Sequence, residues 1–375
     1  SQSSPQAAPG HQTSLFPGSE EDVQNRMASQ MASIETSEHD YRLIDNKADV
    51  RVLAEDLSKQ KRFCFDTETT GLDPLEAELV GIAFSWKAHH AVYISFHEDR
   101  KEVLDLLTVL KPVFNDASIE KIGQNLKYDL HILKNYGIDV KGKLFDTMLA
   151  HFILKPDQKH NLSVLAEQYL DYSMLEIETL IGKKGAGQTS FRSVSPERAC
   201  EYAGEDADIT WQLAHILRKQ IKDQGFDDLS GQIEMPLIPV LMKMEHQGVR
   251  LDVEALNRFA VELREDILKI EQDIFTQAGT DFNINSPRQL GEVLFDHLKI
   301  VENPKKTKSK QYATGEEILL QLKEKHPIVA NILEYRSLRK LLNTYVSALP
   351  KFVKSSTGKI HTYFNQALVT TGRLS

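Results

Sequence analysis

The 375-residue sequence predicts an α/β domain followed by an all-helical domain. Three observations lead there. KRFCF, residues 61–65, is a short apolar and aromatic run bounded by the turn-forming TTGLD, so it reads as a buried strand. Nearby, residues 125–137 and the segment opening at Ser195 carry helix-start signals and helical apolar spacing. From about Ile233 onward the pattern is strongly helical. The length bounds the domain count at two or three.

Asp66 is expected to end the first strand. Residues two apart on a strand point the same way, so Asp66 and Glu68 project together. Two carboxylates that close repel, and one takes up a proton unless a cation sits between them. Hard oxygen ligands suit magnesium or manganese. An isolated Asp-x-Glu reads equally as acidity at a solvated turn.

Two more segments bear on this pair. In IEKIGQNLKYDLHILKNYGI, Asn125 or its predecessor can cap a helix running to about Tyr136, with Gly137 as the stop and Asp129 one turn in. Alone, Asp129 would be a first-turn acid that suits the helix dipole. In SPERACEYAGEDADITW, Ser195-Pro196-Glu197 opens a helix on which Tyr202 and Asp206 share one face. Asp208 points elsewhere and is the weaker ligand candidate. Together, Asp66, Glu68, Asp129 and Asp206 read as a cage for two divalent metals that cleaves nucleic-acid phosphodiesters.

DTETTGL, GQNLKYD and YAGEDAD, in this order, resemble the three exonuclease motifs of the proofreading domain of family A DNA polymerases. The Tyr-x-x-x-Asp form of the third marks the tyrosine branch of the DEDD 3′–5′ exonucleases. LVGIAFSW, KLFDTMLAHFIL and NLSVLAEQYL are similar to that domain's strands and packing helices. The resemblance implies an RNase H-like plan over about 41–228, a mixed sheet flanked by helices. It implies that Asp66, Glu68 and Asp206 hold one metal, which activates a water, and that Asp129 helps hold a second, bridged through Asp66. Tyr202 would orient the water. Leu72 would wedge against the 3′-terminal base, and Gln124 and Asn125 would contact the terminal nucleotides.

The second half extends the resemblance. One helix is expected to end at Gly248, a second to span about Val253–Ala278, a third to start at Ser286-Pro287, and a last to stop at Pro350. MEHQGVRLD, SPRQL, ILEYRSLRKLLNTY and TGRLS are similar to the thumb and palm entry of the same family. This implies a helical thumb over about 229–357 and the start of a palm over 358–375. Arg373 would touch the primer-terminal pair. The catalytic palm and the fingers would lie beyond Ser375, so the chain is expected to be a fragment that does not polymerise.

The net charge is −9, but residues 301–375 hold 13 Lys plus Arg against 5 Glu and no Asp. Lys305, Lys306, Lys308 and Lys310 form a basic loop, and Arg336 and Lys340 share a helix face from which both could reach phosphates. The expected partner is therefore DNA: a single-stranded primer 3′ end in the exonuclease site and duplex along the thumb.

Residues 1–40 read as a linker or disordered tail, with apolar content from Met27 to His39 that would allow a short helix. Residues 182–194 read as a mobile glycine-rich loop near the cleft. The two cysteines have no metal spacing. No signal peptide and no membrane span are found, so a cytoplasmic, nucleoid-associated monomer is expected. Two alternatives to a proofreading exonuclease remain: a stand-alone enzyme of the RNase D type acting on RNA, and a catalytically silent module that only grips duplex DNA.

Overall fold

The computed structural model describes residues 31–375. The tail expected over residues 1–40 lies, up to residue 30, outside the described residues. Residues 31–39 form turns rather than a helix, and Ala32 pairs with the backbone around Tyr172. The chain divides into two compact units: residues up to His246 together with Phe364–Ser375, and Gln247–Tyr363.

The first unit is built on a six-stranded sheet. In chain order its elements are β1 (Asp40–Ile44), α1 (Lys47–Ser58), β2 (Arg62–Thr69), β3 (Leu79–Lys87), β4 (His90–Ser95), α2 (Arg100–Asn115), β5 (Glu120–Gly123), α3 (Leu126–Asn135), β6 (Leu144–Asp146), α4 (Thr147–Leu154), α5 (Leu162–Leu170), α6 (Glu178–Ile181), α7 (Pro196–Asp223) and α8 (Met235–Gln247). The strand order is β1-β4-β3-β2-β5-β6. β3 runs antiparallel to β2 and β4, while the β1–β4, β2–β5 and β5–β6 pairs are parallel. This is the mixed sheet flanked by helices that the resemblance implied.

Side-chain alternation assigns each face of β2 a task. Phe63 and Phe65 point into one core, against Phe84 and Phe114 with ring centroids 5.2–6.4 Å apart. Cys64, Asp66 and Glu68 point to the opposite face, which α7 crosses. α7 starts where the sequence signals it: Ser195 accepts a hydrogen bond from the Arg198 N–H, and Pro196 occupies the first turn, where a missing N–H costs nothing.

β2 runs through Asp66 to Thr69, so Asp66 sits inside the strand rather than at its end. The ladder to β3 carries Asp66 opposite Ala83 and Glu68 opposite Gly81, with a register shift only after Glu68. Polar residues continue the strand because the Asp66 and Glu68 carboxylates gather with Asp206 and need no apolar partner.

Helix α8 belongs to the first unit. Met235, Ile238 and Met242 are buried in its second core, beside Leu213, Leu217 and Ile221 of α7. The break between compact units therefore falls near residue 247, whereas the helical domain was expected from 229.

The second unit holds β7 (Val249–Arg250), α9 (Val253–Ala278), α10 (Pro287–Gly291), α11 (Glu316–Leu322), α12 (Pro327–Lys340) and β8 (Lys359–Ile360). α9 has the bounds its sequence predicts, with Asp252 capping the Ala255 N–H and Gly279 in the left-handed region at φ 68°. α9 and α12 pack through Ile267, Ile274, Ile332 and Tyr335. α12 passes into a π-helical turn over Leu341–Val346, and Pro350 sits in a separate 3-10 turn, Leu349–Phe352.

Candidate active site

Carboxylate oxygens of Asp66, Glu68 and Asp206 all lie within 4.8 Å of one another. β2 contributes two of them from one face, and α7 contributes the third from the helix turn that crosses that face. Glu68 is buried, and Asp66 and Asp206 are half-buried, so the cluster forms a floor that is partly open to solvent.

The electrostatics of this floor are one-sided. Burial raises all three carboxyls: Asp66 is pushed up to about 6 by burial alone, and Glu68 and Asp206, which also feel the Asp66 charge, stand well above the usual range. The charges acting on Glu68 are Asp66, Asp206 and Asp129, and those on Asp206 are Asp66 and Glu205; none is a cation. A cluster of hard oxygen donors without a counter-charge fits a divalent metal.

Asp129 stands beside this trio. Its Oδ1 accepts from the Thr67 N–H at 3.0 Å and the Thr67 hydroxyl at 2.5 Å. Burial and then Asp66 raise its carboxyl. Thr67 thus fixes Asp129 against β2 one residue from each of the two strand carboxylates.

The helix carrying Asp129 is held by a residue the sequence reading overlooked. Asn125 adopts the left-handed conformation at φ 59°, and its side chain makes no capping bond. Asp146 supplies the cap instead, accepting from Asn125 N at 3.2 Å and Leu126 N at 2.8 Å while also capping α4 through Met148 N and Leu149 N. An Asp before TMLAHFIL is a recognisable N-cap, but its second helix is 20 residues away. Further along α3, Lys127 and His131 converge on Glu245 of α8 at 2.5 and 2.8 Å, and Glu245 also accepts from Phe364 N at 2.7 Å.

The acids of α7 separate by partner. Glu205 accepts from the Tyr172 hydroxyl and Leu175 N, and Asp208 accepts from the Tyr41 hydroxyl, His89 N and Gln212. That leaves Asp206 as the acid of the GEDAD stretch that joins Asp66 and Glu68. Tyr202 lies one turn earlier on the same face, and burial, with Asp206 beside it, keeps its phenol protonated.

Of the other expected contact residues, Leu72 is 90 % exposed. Its loop is tied down by Tyr128, whose hydroxyl donates to Gly71 O at 2.6 Å. The Gln124 side chain is bonded within the protein: its amide donates to His160 O at 2.7 Å and accepts from the Thr147 hydroxyl at 2.5 Å. Residues 182–194 form turns and a short 3-10 helix, whose Phe191 packs on Tyr202 at 5.8 Å.

In the second unit, Lys305, Lys306, Lys308 and Lys310 are exposed on a tight hairpin closed by Thr307 N to Gln311 O, with Lys306 over the Tyr312 ring at 4.9 Å. Lys340 is exposed. Arg336 is half-buried and donates to Thr314 O at 2.5 Å. Arg373, in the first unit, is exposed. Among the described residues no helix is long and apolar enough to cross a membrane. A cavity of about 630 Å³ lies away from the carboxylates, around Glu120, Arg218 and Met235.

Comparison with known proteins accords with this site. Residues 41–222 match the 3′-5′ exonuclease family model, and residues 253–375 match the model of DNA polymerase family A. The chain belongs to DNA polymerase family A. Similar curated members of the family include DNA polymerase I of Borreliella burgdorferi, 35 % identical over 92 % of this chain and 37 % of that protein. That of Pseudomonas aeruginosa is 35 % identical over 90 % and 38 %, and that of Chloroflexus aurantiacus is 39 % identical over 87 % and 36 %. The chain thus spans a little over a third of these relatives' length. Among solved structures, the POL domain of Pol1 from M. smegmatis, in complex with DNA primer-template and dNTP, superposes with a TM-score of 0.73 at 26 % identity. That match covers 89 % of this chain and 54 % of the other.

Proposed function

We propose that this chain is the 3′–5′ proofreading part of a DNA polymerase I, removing the 3′-terminal nucleotide of DNA by hydrolysis with two divalent cations, magnesium or manganese. The observation that carries the reading is the carboxylate floor without a counter-charge: Asp66, Glu68 and Asp206 converge, and Asp129 is fixed beside them.

In this reading Asp66, Glu68 and Asp206 hold one cation, and Asp129 with Asp66 holds the other. When bound, the pair supplies charge that activates water and stabilises the attacking and leaving oxygens of the scissile phosphodiester. Tyr202, kept neutral by burial one turn before Asp206, orients the attacking water toward phosphorus. Leu72, exposed on the loop braced by Tyr128, stacks on the terminal base. Water adds to phosphorus, the bond to the penultimate 3′ oxygen breaks, and a nucleoside monophosphate leaves.

The exposed lysines of the second unit hold duplex through phosphates, independent of sequence and sensitive to salt. Arg373 contributes at the primer end, Asn125 lies by the terminal nucleotides, and the protein acts as a cytoplasmic monomer. Asp206→Ala tests the site. Cleavage should vanish while circular dichroism stays native-like; a mutant retaining full activity would overturn the assignment.

A further inference from the structure

A second phenol lies against the carboxylate floor with no assigned role. Tyr93, on β4, is fully buried, yet its hydroxyl has no hydrogen-bond partner within the protein. Its ring leans along the strand over Gly81. A Cβ added at Gly81 would lie 2.0 Å from the Tyr93 Oη and 2.2 Å from its Cζ, so glycine is what admits the ring. Gly81 is the β3 residue opposite Glu68. Residues directly opposite in an antiparallel pair stand roughly 5 Å apart on the same face. The hydroxyl is therefore delivered to the flank of Glu68.

We propose that Tyr93 is a positioning residue of the metal site: its hydroxyl donates to the Glu68 oxygen turned away from the cation and fixes that carboxylate's orientation. The inference rests on the metal-dependent reading above. Buried hydroxyls retained without a protein partner cost stability and call for an explanation. Carboxylates that hold metals are commonly oriented by outer hydrogen bonds, whose loss weakens metal affinity by roughly 10- to 100-fold. Of the charged groups acting on this phenol, Glu68 acts most strongly, ahead of Asp66. The competing partner is solvent in a cavity of about 250 Å³ lined by Tyr93, Ser95, His97 and Arg192.

Tyr93→Phe separates the two. Manganese binding without DNA is titrated by electron paramagnetic resonance for wild type, Tyr93→Phe and Asp66→Asn, and unfolding midpoints are measured in EDTA. The proposal predicts manganese binding about tenfold weaker in Tyr93→Phe. The half-saturating magnesium for cleavage should rise by a similar factor, with the rate recovering at saturating metal. The midpoint in EDTA should be unchanged or higher, because a buried hydroxyl lacking a protein partner has been removed. Wild-type manganese affinity in Tyr93→Phe, with or without a lowered midpoint, would overturn the proposal and leave a purely structural phenol. A wild type that binds no more manganese than Asp66→Asn would instead remove the metal-site reading itself, and this inference with it.

Discussion

A metal cage built from carboxylates should weaken the fold that carries it whenever the metal is withheld. Asp66→Asn measures this. The Asp66 carboxyl is raised from 3.8 to about 6, with burial as the cause. An acid whose pKa is higher folded than unfolded binds more protons in the native state. Stability then falls as pH rises from about 4 through about 6, and the full loss is present at neutral pH. Two units at about 1.4 kcal/mol each give a destabilisation of about 3 kcal/mol at most. Removing the charge should return much of it, a rise of roughly 5–10 °C in the unfolding midpoint in EDTA near neutral pH, shrinking to nothing near pH 4. The same substitution removes a ligand, so magnesium should raise the wild-type midpoint and leave Asp66→Asn unmoved. The assay is thermal unfolding by circular dichroism across pH, with EDTA or magnesium. If Asp66→Asn is less stable than wild type in EDTA, or gains as much from magnesium, the reasoning is wrong.

Glu245→Ala should destabilise the first unit by about 3–5 kcal/mol in urea unfolding, because Lys127 is left as a buried ammonium without its carboxylate. Burial pushes the Glu245 carboxyl up, but bonds from His131, Lys127 and Phe364 N outweigh it and hold it below 4.5. This contribution is present above about pH 4.5 and should fade as pH falls further. Leu72→Ala should leave stability within about 0.5 kcal/mol, since the side chain is 90 % exposed, while slowing removal of terminal nucleotides. Equal cleavage rates would dismiss the wedge. Lys340→Ala should weaken duplex binding uniformly across sequences and lower the salt slope by about 1, read by anisotropy titrations at several salt concentrations. Arg336→Ala should instead show as lost stability, because its guanidinium serves Thr314 O.

Local periodicity accounts for part of the grouping that the structure shows. Asp66 and Glu68 are brought to one face by strand period, and Tyr202 and Asp206 by helix period; both are properties of neighbouring residues. The Ser195-Pro196 start and the bounds of α9 were legible for the same reason. What stayed hidden depends on partners distant in the chain. Asp146 caps α3 across 20 residues, and Glu245 meets Lys127 across 118, so neither pattern is visible in a local window. Gln124 was placed by resemblance and Arg336 by its helix face, and neither shows that His160 O and Thr314 O bond these side chains. The end of β2 was placed too early because DTET lacks the apolar pattern of a strand, and it lacks that pattern because it lines the cleft. The extent of the first compact unit, to His246, was hidden for the same reason. Met235 and Met242 look like any amphipathic helix until the surface of α7 that they cover is known.

The central claim is a metal-dependent site that shortens DNA from the 3′ end. Digestion of a 5′-labelled single-stranded DNA with magnesium, with EDTA, and with Asp66→Ala in magnesium tests it most directly. The account predicts a ladder shortening from the 3′ end with wild type and magnesium, and intact DNA in both controls. No cleavage by well-folded wild type, even with manganese, would contradict it and leave a module that only grips DNA.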